Sequence, residues 1–194
     1  LAKAIGGEII SADSMQVYRR MDIGSAKVRP EEMEGVPHYL IDVLEPAEEF
    51  HVVRFQQMAK EALRQIRANG HIPIVVGGTG FYIQALLYDI DFTENEAQTG
   101  IRAELEELAA WEGAEKLHEL EFYRLTGTRI SGHNEEQKAK ESPYHFAYFV
   151  LNDDRARLYE RIDARVDQMM EAGLLQEVER LKAEGLRRGM VSMQ

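Results

Sequence analysis

Four consecutive residues, Asp13, Ser14, Met15 and Gln16, place a carboxylate and three further side chains directly after a β-prone stretch at residues 8–12. An Asp at the end of a strand is commonly a turn residue or a helix N-cap. A carboxylate in that position can also act as a general base or bind near a metal ion. The four residues alone are compatible with each of these interpretations.

A second candidate is the glycine turn in "VVGGTGFY", where Gly77 and Gly78 follow an apolar strand pattern and Thr79 brings a hydroxyl to the strand end. Because glycine has no Cβ, such a turn allows the backbone to approach another group closely. The turn lacks the Lys and the GxxxxGK(S/T) spacing of a phosphate loop. It is interpreted either as a tight strand-to-helix turn or as part of a site.

Three arginines at four-residue spacing, Arg157, Arg161 and Arg165, would share one face of a helix. Acidic residues are interspersed among them, as on most solvated ion-pair faces. The alternative is that one guanidinium binds a phosphate, for which its planar fork is suited. The six His residues show no metal-ligand spacing and the chain has no Cys, so no protein-ligated metal site is predicted.

Strands and helices must alternate to position these candidates. Strands are predicted at residues 8–12 and 39–43, and a third in "HIPIVV" just before the glycine turn. A helix is predicted between the second and third strands from residues at helical spacing: Phe55, Met58, Ala59, Ala62, Leu63 and Ile66. This order predicts an α/β fold with a parallel sheet, in which Asp13 and Gly77–Thr79 meet at the carboxyl ends of the strands.

The middle of the chain is predicted to be an insertion in this core. A charged helical stretch covers residues 99–120, and the insertion as a whole is expected at roughly 92–144. The apolar stretch "HFAYFVL", residues 145–151, is predicted to return to the sheet as a late strand.

Two helices are predicted to end the chain. Asp153 or Asp154 caps the first, which runs through Met170, and the second covers Leu174–Ala183. The first is expected to bury four residues at helical spacing: Leu158, Ile162, Val166 and Met169.

The net charge, 23 − 34 = −11, argues by itself against a nucleic-acid-binding protein. The charge is segregated, however, because residues 14–30 contain Asp22 as their single acid. The same stretch contains the basic run Arg19, Arg20, Lys27 and Arg29. The apolar run "IPIVV" is too short to span a bilayer, so a cytoplasmic protein without membrane contact is expected.

Three segments, "ISADSMQVYRRMDIGSAK", "VPHYLIDV" and "PIVVGGTGFYIQALL", closely resemble the tRNA dimethylallyltransferases, also called isopentenyl-diphosphate:tRNA transferases. The segments "LYERIDARVDQMMEAGLLQEVERL" and "SMQ" are similar to the same family, so the likeness covers most of the chain. The resemblance implies a P-loop-kinase-like fold with a catalytic core at residues 1–91 and 145–194. It also implies that the helical insertion at 92–144 clasps the tRNA anticodon arm.

The chain departs from the family pattern in three places. A phosphate loop of the form GPTxxGKT would lie upstream of Leu1, and a GYxE-type motif would lie beyond "SMQ". "LHEL" joins "EFYRLTG" directly, so a segment is expected to be missing near residues 120–121. We expect these pieces to be omitted from the sequence, which would make the net charge an underestimate of the basic content.

The resemblance implies transfer of a dimethylallyl group from dimethylallyl diphosphate to the exocyclic N6 amine of the adenosine 3′ of the anticodon in tRNA. It implies that Asp13 is the general base for an adenine that leaves its stack. Mg²⁺ and Arg165 would stabilise the diphosphate, and Thr79 and Arg165 count with Asp13 as catalytic residues. Contacts to tRNA are implied for Asp13, Ser14, Met15, Gln16, Thr79, Arg102 and Gln194, and phosphate contacts to tRNA are predicted within the basic run.

Two other functions stay open at this point. A small-molecule or nucleotide kinase could use the same fold for phosphoryl transfer, although the Asp-Ser-Met-Gln stretch and the long insertion favour the transferase. A non-enzymatic RNA-binding module is disfavoured by the overall acidity and by the lack of stacking-rich motifs. The expected oligomeric state is a monomer.

Overall fold

The computed structural model describes residues 1–92 and 140–193. The chain divides into two units, one formed by Leu1–Leu86 together with the chain from Phe146 onward, the other by Leu87–His145. The sheet lies in the first unit. The helix predicted at 99–120 lies outside the described residues, as does most of the insertion, so the predicted domain boundaries stay predictions.

Three parallel strands form the sheet, in the order β2-β1-β3. β1 is Gly7–Ser11, β2 is His38–Tyr39 and β3 is Ile72–Val76. The central strand β1 pairs along its whole length with β3, from Gly7 opposite Ile72 to Ser11 opposite Val76. The strands share one direction, so their carboxyl ends lie at one edge, and the predicted α/β class with a parallel sheet is confirmed.

The described residues form five α-helices and one short 3₁₀ helix. The helices are α1 Ala2–Ile5, α2 Val52–Ala68, α3 Gly80–Leu87, α4 Arg155–Glu171 and α5 Leu174–Ala183, followed by the 3₁₀ helix Val191–Met193. Asp154 caps α4, since its carboxylate accepts a hydrogen bond from Ala156 N at 2.9 Å. Gly173 separates α4 from α5 with a φ of 99°, a conformation that glycine adopts without strain.

The core lies between the sheet and α2, whose apolar face is buried. Phe55, Ala59 and Ile66 are fully buried and recur at the spacing of one helical face. Phe55 stacks on Tyr82 of α3 with 4.7 Å between ring centroids, and Gln56 Nε2 donates to Ala85 O at 2.8 Å. Full burial of a side chain such as Phe55 or Ile66 contributes about 1.5–3 kcal/mol, so this face stabilises the packing of α2 against β1, β3 and α3.

The second strand is shorter than the sequence predicts. β2 ends at Tyr39 instead of residue 43, because Leu40 and Asp42 have φ values of 63° and 54°. These left-handed conformations are incompatible with an extended strand. The chain after Tyr39 therefore turns away at the edge of the sheet that carries Asp13.

The late strand predicted at residues 145–151 is wrong, as is the predicted burial on α4. Residues 145–151 have no strand structure, and Leu151 is 96% exposed. α4 has nearly the predicted bounds, yet none of its residues is buried. In the described part of the chain the sheet has three strands and none pairs with 145–151, so the apolar stripe of α4 has no sheet surface to cover.

The described part of the second unit consists of residues 87–92 and 140–145. Lys140 pairs with Asp91 at 2.9 Å, and Ser142 Oγ donates to Leu87 O at 2.5 Å. These contacts join the two described stretches. No helix within residues 1–92 and 140–193 has the length and apolar composition needed to cross a membrane.

Candidate active site

The ends of β1 and β3 bring two of the predicted site segments together. Ser11 is in register with Val76, and Ala12 N donates to Val76 O at 2.7 Å. Thr79 N donates to Ala12 O at 3.3 Å, across the same edge. Asp13 therefore stands beside the Gly77–Thr79 turn, and the predicted side-by-side placement is confirmed.

Gly77 permits this close approach because a side chain at that position would overlap the neighbouring backbone. A Cβ built on Gly77 would lie 2.3 Å from Ala12 O, whereas one built on Gly78 would meet no atom within 4 Å. Only the first glycine of the turn is thus required by backbone packing. The second leaves open space above the turn.

The carboxylate of Asp13 uses one of its two oxygens to form a turn. Oδ1 accepts hydrogen bonds from Met15 N at 2.7 Å and Gln16 N at 3.1 Å, the geometry of an Asx turn. No described residue forms a hydrogen bond or ion pair with Oδ2. The turn interpretation of Asp13 is confirmed, and it fixes the carboxylate while leaving its second oxygen available.

The residues around Asp13 are half-buried, as expected for a surface that meets a ligand. Ser14, Met15, Gln16 and Thr79 all have intermediate exposure. Gln16 Nε2 donates to Ala26 O at 3.2 Å, which orients this side chain. Among the described residues, no hydrogen bond engages the hydroxyl of Ser14 or Thr79.

Glu177 is a buried carboxylate that sequence reasoning missed. It lies on α5, is 6% exposed, and accepts hydrogen bonds from three consecutive backbone N–H groups, those of Asp22, Ile23 and Gly24, each at 2.9 Å. The partners are 153 to 155 residues away in sequence, and in a helical pattern Glu177 is indistinguishable from a solvated acid. No local signal could have identified it.

Lys27 is the buried member of the basic run, within which phosphate contacts to tRNA stay a prediction. Its ammonium donates to Tyr18 O at 2.6 Å, to Asp22 at 2.7 Å and to Asp42 at 2.5 Å. These are the three donors that a lysine has, and the side chain is only 5% exposed. Lys27 therefore ties three segments of the chain together and has no donor left for RNA.

The other members of the basic run differ in their availability. Arg19 and Arg20 both pair with Glu45, at 3.1 and 2.8 Å, and Arg20 also pairs with Glu184. The guanidinium of Arg29 is exposed and makes no ion pair with any described residue. Arg29 is thus the member of the run best placed for a phosphate contact.

Arg165 lies on α4 and lines a cavity of about 540 Å³ shared with the 22–32 segment. Ala26, Lys27 and Arg29 of that segment are among the lining residues. The cavity therefore lies next to Ala26, whose carbonyl accepts the hydrogen bond from the Gln16 side chain. Arg161 pairs with Asp153 at 3.2 Å, which confirms the ion-pair interpretation for that arginine. Within the described residues, Arg165 makes no ion pair, and neither Asp13 nor Thr79 is among the residues that line this cavity.

The two remaining predicted tRNA contacts, Arg102 and Gln194, lie outside the described residues. Their roles stay predictions.

The amino end of the sheet holds a separate buried group, the Glu8 cluster (Glu8, Tyr39, Asn69 and His71). Glu8 is 2% exposed and accepts hydrogen bonds from the Tyr39 hydroxyl at 2.6 Å, from Asn69 Nδ2 at 3.4 Å and from His71 Nδ1. The bond from Tyr39, followed by that from His71, holds the pKa of Glu8 below its usual value, although burial opposes this. The cluster joins β1 to β2 and to the start of β3, at the end of the sheet opposite Asp13.

Comparison with known proteins identifies close relatives. A sequence model of the IPP transferase family matches residues 16–120 and 117–194. The tRNA dimethylallyltransferase of Lachnoclostridium phytofermentans is 59% identical over 218 residues, covering 100% of this chain and 70% of that protein. The enzyme of the same name from Exiguobacterium sp. is 47% identical over 206 residues, covering 96% of this chain and 66% of that protein. The chain thus spans 66% to 70% of the length of these two relatives.

Solved structures of similar proteins agree. A tRNA delta(2)-isopentenylpyrophosphate transferase from Staphylococcus epidermidis has a TM-score of 0.71 at 36% identity, covering 100% of this chain and 70% of that one. A tRNA isopentenylpyrophosphate transferase from Bacillus halodurans has a TM-score of 0.73 at 37% identity, covering 100% and 67%. A eukaryotic dimethylallyltransferase acting on tRNA has a TM-score of 0.76 at 30% identity, covering 94% and 51%. These structural likenesses confirm the P-loop-kinase-like fold class. The family model and relatives above 30% identity both extend over most of the chain, so the chain belongs to the IPP transferase family.

Proposed function

We propose that this chain transfers a dimethylallyl group from dimethylallyl diphosphate to the exocyclic N6 amine of the adenosine 3′ of the anticodon in tRNA. The observation that carries the proposal is the geometry of Asp13. One carboxylate oxygen is fixed by two backbone N–H groups and the other has no partner among the described residues. The names of the relatives, tRNA dimethylallyltransferases, support the same reaction.

Asp13 is proposed to accept the proton of the attacking amine. A positioned carboxylate is one of the common general bases in enzymes. The amine nitrogen forms a bond to C1 of the dimethylallyl group while the bond from C1 to the diphosphate oxygen breaks. The amine proton passes to Asp13 Oδ2, and the diphosphate leaves with the electron pair.

The half-buried residues beside Asp13 are proposed to hold the acceptor base. An adenine must leave its stack before a reagent in a protein site can reach its amine. Gln16, oriented by Ala26 O, presents an amide that can hydrogen-bond a base edge, and Met15 offers an apolar surface. Ser14 and Thr79 follow the ends of β1 and β3 and are half-buried, and their hydroxyls complete the proposed tRNA contacts, together with Arg102 and Gln194.

The leaving diphosphate is proposed to bind Arg165, whose guanidinium makes no ion pair with a described residue. The cavity that Arg165 lines also holds Lys27 and Arg29, together with the acids Asp22 and Glu32, and Lys27 is already paired with Asp22. A guanidinium binds phosphate through paired N–H groups, which a lysine cannot reproduce. Charge growing on the diphosphate in the transition state would strengthen this contact.

Mg²⁺ is proposed to accompany the donor diphosphate. Within residues 1–92 and 140–193, no three His, Cys, Asp or Glu side chains come together as a ligand set. The described residues therefore do not fit a site built from protein ligands alone, and no step is assigned to the ion. Mg²⁺ is commonly held by one or two carboxylates together with substrate phosphates.

The insertion at 92–144 is proposed to clasp the anticodon stem-loop of tRNA, in a cytoplasmic protein that acts as a monomer. The expected missing segment near 120–121 has two lines of support. The family model matches in two parts that meet at residues 117–120. The match with the 59% identical relative extends over 218 residues although this chain has 194, a difference of 218 − 194 = 24.

The kinase alternative is not favoured. The relatives and structural neighbours carry the names of tRNA-modifying transferases. A direct distinction is the donor, because a kinase would transfer a phosphoryl group from a nucleotide, whereas the proposed enzyme consumes dimethylallyl diphosphate without hydrolysing a nucleotide.

Asp13→Asn tests the proposal in the intact protein. Asparagine keeps a carbonyl oxygen that can accept the Met15 and Gln16 N–H bonds but is not a base. We expect the single-turnover rate to fall by a factor on the order of 10²–10⁴, with affinity for tRNA and donor changed much less because the lost interaction is greatest in the transition state.

Asp13→Ala is the matched variant, since it removes the turn-forming oxygen as well. It should add a loss of stability of about 0.5–2 kcal/mol, typical of a lost cap. A thermal melt and a single-turnover assay on the same samples separate the two roles. A wild-type rate in Asp13→Asn would place the base elsewhere and refute the proposal.

A further inference from the structure

The turn formed by residues 22–26 has an unusual carboxylate partner. Glu177 receives the N–H groups of Asp22, Ile23 and Gly24, with Oε2 accepting the first two and Oε1 the third. Three converging backbone N–H groups form an anion-binding concavity, here filled by a side chain of the protein. The carboxylate is buried, so these bonds are largely shielded from water.

The same turn contacts Gln16, one of the proposed base-binding residues, through the carbonyl of Ala26. Ala26 has a φ of 46°, and its N–H donates to Ile23 O at 2.9 Å, so the direction of its carbonyl is set by the turn that Glu177 holds. Ala26 O accepts the side-chain amide of Gln16 at 3.2 Å. Glu177 is therefore connected to Gln16 by its three hydrogen bonds to the turn and by the hydrogen bond from the Gln16 side chain to Ala26 O.

Lys27 fixes the other end of this turn. Its N–H donates to Asp22 O at 2.9 Å, and its ammonium joins Asp22 to Tyr18 and Asp42. Asp42 N in turn donates to Gln16 O at 3.2 Å. The backbone of Gln16 is thus tied to the Lys27 contacts, while its side chain depends on the turn bound to Glu177.

We infer that Glu177 is a positioning residue for the acceptor base, acting through the 22–26 turn and Ala26 O to orient the amide of Gln16. The inference rests on the proposed function, in which Gln16 contacts the adenosine or its neighbours. It assigns a role to a residue on α5 that touches neither substrate. Glu177→Gln should loosen the turn, because the side-chain amide would place an N–H donor against a backbone N–H, and its effect on the RNA step should depend on Gln16.

A double-mutant cycle between Glu177 and Gln16 tests this coupling in the intact protein. Glu177→Gln should raise the KM for an anticodon stem-loop RNA about five- to tenfold, the effect of one ordinary hydrogen bond. In a Gln16→Ala background the same substitution should raise it less than about twofold, because residues in one network are not additive. Glu179→Gln, on the exposed face of the same helix, is the matched control and should behave as wild type.

Equal effects of Glu177→Gln in both backgrounds would overturn the inference and leave Glu177 a purely structural residue. Binding of fluorescein-labelled stem-loop RNA, measured by anisotropy on the same four proteins, gives the cycle a second readout. If the wild-type protein transfers no dimethylallyl group, the proposed function fails while the binding cycle still decides the coupling. If Glu177→Gln does not fold, Glu177→Asp replaces it, since the shorter side chain keeps the charge but cannot reach all three N–H groups at 2.9 Å.

Discussion

Gly77→Ala tests whether the contact between the ends of β1 and β3 is what places Asp13. A Cβ at residue 77 would lie 2.3 Å from Ala12 O and 2.4 Å from Ala12 C. Ordinary contact begins at 3.4 Å, so the two backbones would have to separate by 3.4 − 2.3 = 1.1 Å. Both neighbouring atoms belong to the main chain, and no side-chain rotation can relieve the overlap.

The expected cost follows from this displacement. Overpacking a well-packed region costs about 1–3 kcal/mol, and in a protein of this size each kcal/mol lowers Tm by roughly 2–4 °C. We therefore expect Tm to fall by about 2–12 °C. Asp13 follows Ala12 directly, so its carboxylate moves with the backbone, and a misplacement of about 1 Å is expected to lower the transfer rate ~10²-fold.

Gly78→Ala is the control, because a Cβ at residue 78 meets no atom within 4 Å. Differential scanning calorimetry and single-turnover transfer assays on both variants give the comparison. Gly78→Ala should be near wild type in Tm and rate. A Gly77→Ala variant with wild-type Tm and rate would show that the close approach does not determine the position of Asp13.

The remaining predictions concern charged residues. The pKa of Glu8 is lowered in the folded state, so the stability that ionised Glu8 contributes is present above the unfolded pKa and is lost as pH falls through the folded pKa. The difference in Tm between wild type and Glu8→Gln should therefore shrink when thermal melts are repeated from pH 7 down to below about pH 4. Arg29→Ala should reduce the log–log salt slope of tRNA binding by about 0.7–0.9, whereas Lys27→Ala should lower Tm, and an equal slope change in both would contradict the burial of Lys27. Arg165→Ala should reduce kcat/KM for the donor without rescue by lysine, and Arg161→Ala should not; equal losses in the two would argue against a diphosphate contact.

The edge of the sheet that carries the site could be predicted from the sequence because local patterns determine it. Two apolar stretches, each followed by polar or glycine residues, predict strand ends, and their alternation with helices predicts a parallel sheet. In a parallel sheet, strands that share a direction end at the same edge, so Asp13 and Thr79 had to be neighbours if the strands were adjacent. The structure supplies what sequence alone lacks, namely that β1 and β3 are adjacent and in register.

Burial of charged residues could not be predicted, because it depends on partners that are distant along the chain. Counting charges identified Lys27 as part of a basic run but gave no indication that Asp22 and Asp42 close around it. The burial of Glu177 is still harder to predict, because its hydrogen-bond partners are more than 150 residues away in the sequence. Both residues hold loops rather than strands, and loops have no periodic pattern from which the positions of their contacts can be inferred.

The turn role and the proposed base role of Asp13 are compatible because a carboxylate has two oxygens. Oδ1 is occupied by two backbone N–H groups, which orient the group before any substrate arrives. A base that is already oriented need not reorganise when charge moves in the transition state, which is the condition under which fixed polar groups contribute most to catalysis. In the same way, a glycine that lets Ala12 approach the end of β3 and a distant Glu177 that holds the next turn both act by fixing backbone. On this view, the chemistry of the site depends on a few side chains, and their placement depends on backbone contacts at the edge of a small parallel sheet.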